Sequence, residues 1–456
     1  MMVPASIFRE YDIRGIVGTE LTAEIAEQIA RAYAATLAAP GAQVVLGRDN
    51  RQHSPMLAAA AAAGLTASGS DVVDIGTVIS PTFYYARVRW NIDGGMMVTA
   101  SHNPSEFNGF KLARGSGTLY GEQIQAVRRR AETGPFLEGR GSATARDITA
   151  AYVTMLREKI RLGSRRLRVA VDCGNGTASL VAPEVLRAWG VDVVPLYCDS
   201  DPRFPNHHPD PVDPHNLTDL IEVVRRERCD LGIGFDGDGD RIGVVDDRGE
   251  IVWGDLLMVL YWKEILPKHP GAQVIVEVKC SQALVEAVEQ MGGRPFFYRT
   301  GHSLIKAKMR EIDAIFTGEM SGHMFFADEY YGFDDAVYAA GRLLRTLSNA
   351  DVSLSGLLAD VPRYPITPEI RVACPDDRKF EVVSALVEAF KRDHDVIDVD
   401  GARVLFDDGW GLIRASNTQP VLVLRAEAKT QAGLERIKRT LEGALAGRPE
   451  VGPVRW

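Results

Sequence analysis

The sequence predicts an α/β protein: three related α/β domains with mixed, mostly parallel sheets, then a C-terminal α+β domain. Three observations predict it. A strand–helix–strand pattern occurs three times, at intervals of roughly one hundred residues. Each strand is a short apolar run and each helix is amphipathic, which is the signature of βαβ units. After about residue 365 the texture changes to helix, β-rich stretch and helix. A chain of 456 residues is also too long for one core. The expected domains are 1–149, 150–250, 251–365 and 366–456.

In the first unit AQVVLG (42–47) reads as a buried strand and SPMLAAAAAAGLTASG (54–69) as a helix. Ser54 is expected as its N-cap and Pro55 at its first position. DVVDIG (71–76) is the second strand. The second unit runs from LRVAVDCGNG (167–176) through a helix around LVAPEVLRAW to a strand VDVVPLY. The third runs from AQVIVEVKC (272–280) through SQALVEAVEQM to RPFFYR. The last domain offers PEIRVACPDD, a helix KFEVVSALVEAFKRD, the β-rich DVDGARVLFDDGWGLIRAS and PVLVLRAEA, and a helix AGLERIKRTLEGALAG. FPNHHPDPVDP (204–214) is a loop of the second domain, with His207 and His208 expected in solvent rather than on a metal.

Composition narrows the function classes. The net charge of −9 argues against nucleic-acid binding, which needs a basic face. Cys173, Cys198, Cys229, Cys280 and Cys374 are scattered and odd in number, as expected of reduced thiols in a cytoplasmic protein. MMVPASIFREYDIRG meets charge at Arg9 before any apolar run, so no signal peptide is expected. MLAAAAAAGLTASG is too short and Ala-rich for a membrane span.

Four stretches carry chemistry. VTASHNPSEFNGFK (98–111) sets Ser101 among Thr99, His102, Asn103 and Pro104, on a turn that suits a displayed nucleophile as well as a polar loop. GFDGDGDRIGVV (234–245) alternates Asp236, Asp238 and Asp240 with glycines, after an apolar strand LGIGF. Side chains two apart share a face of an extended segment, and glycines let it curl, so three carboxylates converge on one hard cation such as Mg²⁺. An EF-hand would need Gly and Glu where Arg241 and Asp247 stand. TGEMSGH (317–323) offers Glu319, Ser321 and His323, an acceptor, hydroxyl and imidazole that suit sugar hydroxyls. RASNTQP (414–420), with Arg425 beyond, presents Arg414, Ser416, Asn417 and Thr418, which suit a phosphate dianion. Taken alone, the last two also fit plain polar turns. CGNGTAS (173–179) has Ser179 where a dinucleotide fingerprint needs glycine.

Together and in this order, the four stretches resemble the α-D-phosphohexomutase family, most closely its bacterial branch acting on both mannose and glucose phosphates. The resemblance covers essentially the whole chain and implies four domains around a central cleft, each donating one loop. It implies that Ser101 carries a phosphoryl group and joins Asp236, Asp238 and Asp240 around Mg²⁺. It further implies Lys111 and Arg241 as catalytic cations and His302, in TGHSLIK, beside the reacting oxygens. Tyr11 and Arg14, in REYDIRG, His102, and Lys279, on the VEVKCS strand, are implied as further cleft contacts, with Glu319, Ser321 and His323 on the sugar. Arg414, Ser416, Asn417, Thr418 and Arg425 are implied on the non-reacting phosphate.

The implied reaction interconverts hexose 1- and 6-phosphates, with glucose 1,6-bisphosphate as intermediate and activator. Contacts at O3 and O4 discriminate C2 epimers weakly. Phosphoglucosamine mutase is therefore the alternative, although Thr99 stands where that branch usually has serine. A phosphoserine-dependent sugar phosphatase is the rival in which water replaces the sugar. Ser101 lacks the GxSxG setting of a hydrolase, and a non-catalytic binder would be expected to lack Ser101 or a metal aspartate. The partners expected are phosphohexoses alone, with no nucleic acid and no membrane, for a monomer or homodimer.

Overall fold

The computed structural model describes residues 3–37 and 41–456; Met1 and Met2, which open the N-terminal stretch, lie outside it. The first sheet runs in the order Ile13–Ile16, Phe107–Arg114, Gly94–Val98, Gln43–Arg48, Asp71–Thr77, Ala143–Ala145, with Gly117–Thr118 paired to Phe107–Arg114. Its parallel core is the set Gly94–Val98, Gln43–Arg48 and Asp71–Thr77. Both faces of that core are covered. Val44 and Leu46 pack with Ile25 and Leu57 of the helices Ala23–Ala34 and Ser54–Ala67, whereas Val45 packs with Phe83 of Ser80–Trp90.

The second sheet has the order Ile251–Val252, Ile242–Val245, Leu231–Phe235, Arg168–Asp172, Asp192–Leu196, parallel among the last three strands and antiparallel before them. In the third domain Gln273–Glu277 pairs in parallel with Arg294–Tyr298, and Phe316–Gly318 forms a hairpin with Met324–Phe326. The sheets are thus mixed, with more antiparallel pairing than the βαβ pattern suggested. The extra strands are hairpin returns that bracket the chemical loops.

The domain IV sheet is wholly antiparallel, in the order Ile370–Ala373, Val421–Ala428, Gly409–Ala415, Ala402–Phe406, Val396–Ile397. One face packs on the helices Lys379–Phe390 and Gln431–Leu445. The other turns Trp410 and Leu412 toward Val278 of domain III. Domains I to III share one continuous apolar core, from Val45 and Phe83 through Val171 and Ile233 to Val276 and Leu343. Domain IV has a separate core. Its attachment to domain III is largely polar: Arg403 Nη1 donates to the carbonyls of Val278 and Cys280 at 2.6 and 2.9 Å, and Asp400 accepts from the Thr300 amide at 3.0 Å.

Two local expectations are corrected. Ser54 is the first residue of its helix, not the N-cap, which is His53. The Ser54 hydroxyl is buried and donates instead to Asp49 at 2.5 Å while accepting from Asn108 at 2.9 Å. His208 is exposed, but His207 is half-buried because its Nε2 lies 3.0 Å from the buried carboxylate of Asp172. All five cysteines are free thiols. Among the described residues, no helix is long and apolar enough to cross a membrane.

Candidate active site

The loops bearing Ser101, Asp236 and Lys279 leave the carboxyl ends of parallel core strands, where α/β sheets place their ligands, and the other two are antiparallel hairpins. Ser101 follows Gly94–Val98 and Asp236 follows Leu231–Phe235. Lys279 lies in the turn just beyond Gln273–Glu277 rather than on the strand itself. Glu319, Ser321 and His323 occupy the hairpin between Phe316–Gly318 and Met324–Phe326. Ser416, Asn417 and Thr418 occupy the hairpin between Gly409–Ala415 and Val421–Ala428.

These loops enclose a cavity of about 800 Å³. Every expected substrate or catalytic residue lines it: Tyr11, Arg14, Ser101, His102, Lys111, Arg241, Lys279, His302, Glu319, Ser321, His323, Arg414, Ser416, Asn417, Thr418 and Arg425. Asp236, Asp238 and Asp240 are fully buried beneath its floor.

Ser101 sits at φ 51°, a left-handed conformation unusual for a residue with a Cβ, which turns its hydroxyl to the floor. Its Oγ donates to Asp236 Oδ2 at 2.6 Å and lies 3.1 Å from His102 Nδ1. A Cβ on Gly237 would stand 2.3 Å from the Ser101 carbonyl oxygen, so only glycine lets the two loops meet.

The aspartates converge through a tight turn, with Gly239 at φ 74°, and not along an extended segment as the alternation suggested. One carboxylate oxygen from each lies within 4.8 Å of the others. Asp238 Oδ1 and Asp240 Oδ1 are buried without a hydrogen-bond partner. Three carboxylates converging in this way, two of them with an unpartnered buried oxygen, fit a hard divalent cation such as Mg²⁺. Burial, then the neighbouring Asp238 and Asp240 charges, pushes the Asp236 carboxyl well up. Asp238, although burial works against its charge, is held low by Lys111. Lys111 Nζ donates to Asp238 Oδ2 at 2.6 Å and Asp240 Oδ2 at 2.5 Å. It therefore lies against two of the three carboxylates.

A second set, Asp240, His323 and Asp334, is also close enough to chelate. Its tautomer argues against a metal. Arg241 Nε donates to His323 Nε2 at 3.0 Å, so the ring proton is on Nδ1, which faces Asp334 Oδ2 at 3.0 Å. His302 opens the helix His302–Glu311, stacked on His323 at 5.2 Å and edge-on to Tyr11 at 4.9 Å. Burial, reinforced by Lys306, depresses its pKa well below the ordinary imidazole value. His102 is depressed likewise, by burial and then Arg241 and Arg14. Burial raises the Glu319 carboxyl, which accepts from the Gly301 amide at 2.7 Å.

On the far wall Arg414 Nε donates to Asp400 at 3.0 Å, and its Nη2 is buried without a partner. The Ser416 hydroxyl accepts from the amides of Thr418 and Gln419 at 3.3 and 3.2 Å. Lys279 Nζ donates to Glu369 at 3.0 Å. Arg425, on the strand Val421–Ala428, donates to the Lys279 carbonyl and so braces domain IV against domain III.

Comparison with known proteins decides the family. Models of the phosphoglucomutase/phosphomannomutase alpha/beta/alpha domains I, II and III match residues 5–138, 150–249 and 253–364, and the model of the C-terminal domain matches 369–444. The chain belongs to the phosphoglucomutase/phosphomannomutase family. It is 46% identical over 449 residues to the phosphomannomutase/phosphoglucomutase of Pseudomonas aeruginosa, covering 97% of this chain and 96% of that one. It is 41% identical over 456 residues to a phosphoglucomutase of Neisseria gonorrhoeae, covering 98% of each. The crystal structure of a phosphoglucomutase/phosphomannomutase family protein from Burkholderia thailandensis superimposes with a TM-score of 0.92 at 40% identity, over 100% of each chain.

Within this family frame, several residues went unread in the sequence. Asp334, Lys306, Asp210, Glu369 and Arg371 each contact or line the site, yet none was singled out, although Lys306 stands in the same TGHSLIK run as His302. Asp210 lies in the Pro-rich loop, 3.9 Å from Arg241. CGNGTAS also has a role: the Thr177 amide donates to the Gly237 carbonyl at 2.9 Å, supporting the turn that carries the three aspartates.

Proposed function

We propose that this enzyme is a reversible phosphohexomutase that interconverts the 1- and 6-phosphates of glucose and mannose through a phosphorylated Ser101. The observation that carries the reading is the meeting of the Ser101 hydroxyl with Asp236 at 2.6 Å, on the floor of a cleft walled by all four domains.

Asp236, Asp238 and Asp240 would hold Mg²⁺, which, when bound, draws charge from the phosphoryl group during transfer. In the first half-reaction the bond from Ser101 Oγ to phosphorus breaks as the sugar O6–phosphorus bond forms. His302, neutral through burial, accepts the O6 proton and Lys111 supplies one to the departing Ser101 Oγ, with both proton transfers reversed in the second half-reaction. Glucose 1,6-bisphosphate, or its mannose counterpart, then turns end for end, and its other phosphate returns to Ser101. Lys111 and Arg241 steady the charge at the reacting end. Glu319 and Ser321 hold two sugar hydroxyls in either orientation, while Arg414, Ser416, Asn417 and Thr418 hold the phosphate that is not reacting. Tyr11, Arg14, His102, Lys279, His323 and Arg425 complete the cleft wall. A cavity of about 800 Å³ leaves room for a hexose bisphosphate. We place the enzyme in the cytoplasm, consistent with five free thiols.

The test offers glucose, mannose and glucosamine 1-phosphates separately, with Mg²⁺ and a trace of glucose 1,6-bisphosphate, while inorganic phosphate is followed. Isomerisation of glucose and mannose phosphates without phosphate release supports the proposal. Turnover of the glucosamine phosphate alone would reassign the substrate, and phosphate release without isomerisation would make the protein a phosphatase.

A further inference from the structure

The main chain around Ser101 is folded over one buried side chain that no sequence motif singled out. Arg51 is 1% exposed. Its Nη2 donates to the carbonyls of Ser101 at 2.8 Å and Asn103 at 2.6 Å, and its Nη1 to those of Pro104 at 2.7 Å and Phe107 at 3.1 Å. A planar guanidinium thus gathers four carbonyls from seven consecutive residues, 101–107, that form neither helix nor ladder before Phe107. Asp49 supplies the counter-charge, with an oxygen 3.3 Å from Arg51 Nε, and is itself fixed by the Arg51 amide and the Ser54 hydroxyl. Phe204, from domain II, covers the guanidinium at 5.1 Å.

We infer that Arg51 is a positioning residue for phosphoryl transfer, holding Ser101 in its left-handed conformation with the hydroxyl on the metal loop. The conformation at φ 51° is costly for serine and persists only where the surroundings over-determine it. Among the described residues, Arg51 is the one side chain that binds the carbonyl of Ser101 and of three residues after it. It reaches no cleft surface and touches no expected ligand position, so its effect passes through Ser101. The reach into domain II through Phe204 gives the nucleophile loop a support from the same domain that carries Asp236. The inference deepens the proposed phosphoserine reaction and rests on it for its kinetic part.

Arg51→Lys keeps the charge beside Asp49 and removes the fork. The variant is examined by amide hydrogen exchange across 99–108 and by single-turnover transfer from glucose 1,6-bisphosphate to dephosphorylated Ser101. Exchange should quicken in that segment alone, and transfer and kcat should fall by about 10- to 100-fold with KM unchanged, the cost of a nucleophile misplaced by an ångström. Loop exchange unchanged with normal transfer would overturn the inference, as would slow transfer over an unchanged loop. If wild-type protein accepts no phosphoryl group at all, the mutase reading fails, while the exchange experiment still decides whether Arg51 fixes the loop. Should Arg51→Lys not fold, Phe204→Leu uncovers the guanidinium from the domain II side and is read identically. Faster loop exchange with transfer slowed severalfold supports the clamp, and neither change refutes it.

Discussion

The Ser101 hydroxyl and the Asp236 carboxylate, 135 positions apart in the chain, meet at 2.6 Å across the boundary between domains I and II. Nothing local to either loop brings them together. The common core of domains I to III fixes the two strand ends, and Gly237 lets the loops approach to contact. The proposed nucleophile is therefore held by the interdomain core, whereas the loop proposed to bind the non-reacting phosphate rides on a domain with a core of its own.

Removing the Ser101 hydroxyl deletes the proposed phosphoryl carrier and leaves the aspartate turn intact. Ser101→Ala should lower kcat by at least about 10³-fold, the scale seen when a covalent nucleophile is lost. Its thermal midpoint should stay near that of wild type. Intact-mass measurement after incubation with glucose 1,6-bisphosphate should show phosphoryl incorporation in wild type only. Incorporation into the variant would move the phosphorylation site elsewhere.

Lys111 neutralises two of the three carboxylates that would hold the cation. Lys111→Met removes a positive charge that competes electrostatically with Mg²⁺. Mg²⁺ binding, read by calorimetric titration, should tighten, while kcat falls by about 10²- to 10³-fold for want of charge stabilisation in the transition state. Weaker Mg²⁺ binding in the variant would show instead that Lys111 builds the site.

His302 makes folding pH-dependent. Burial lowers its folded-state pKa, so between the ordinary value near 6.5 and that lower value the unfolded chain holds a proton that the folded chain refuses. The stabilisation is complete above about pH 6.5 and is lost as pH falls, by about 1.4 kcal/mol per unit for each such group. His302→Gln should flatten the decline of urea midpoints between pH 6.5 and 5 by about that slope. His102, shifted the same way, keeps some dependence in the variant. An unchanged slope would mean that His302 titrates normally in the folded chain.

Much of this candidate site was legible because the phosphate, sugar and cation chemistry proposed for it concentrates donors into short runs. ASHNP, DGDGD, GEMSGH and RASNT each hold several polar groups within a few residues, and periodicity placed the parallel core strands beside them. What stayed hidden acts through the third dimension. Arg51 sits in GRDNR, where nothing marks it as different from any surface arginine. Its importance lies in carbonyls about fifty residues away, at Ser101 and beyond. Asp334 and Lys306 pair at 2.8 Å behind His302, a contact between a loop and a helix that neither stretch reveals on its own. Ser54 misled for the same reason: its position before a helix matched the N-cap rule, but burial beside Asp49 recruited its hydroxyl. The returns Ile251–Val252, Phe316–Gly318 and Met324–Phe326 escaped because they are only two or three residues long, while the eight-residue return Phe107–Arg114 was hidden inside the polar NGFK stretch.

Arg414 tests the other half of the cleft. Its Nε is anchored by Asp400 at 3.0 Å, and its buried Nη2 has no protein partner. A buried guanidinium nitrogen left unpaired is costly unless a ligand completes it, and a phosphate oxygen is suited to do so. Arg414→Ala removes that donor from a domain whose core is independent of domains I to III, so the fold of those three should be untouched. KM for glucose 1-phosphate should rise at least about tenfold, the loss of one charge-assisted contact. The rate of phosphoryl transfer from saturating glucose 1,6-bisphosphate should change less. Both follow from initial-rate kinetics, with calorimetry as the control for folding. A variant with wild-type KM would place the non-reacting phosphate away from this loop. A variant with unchanged KM and much reduced kcat would instead assign Arg414 to the closure of domain IV over bound sugar.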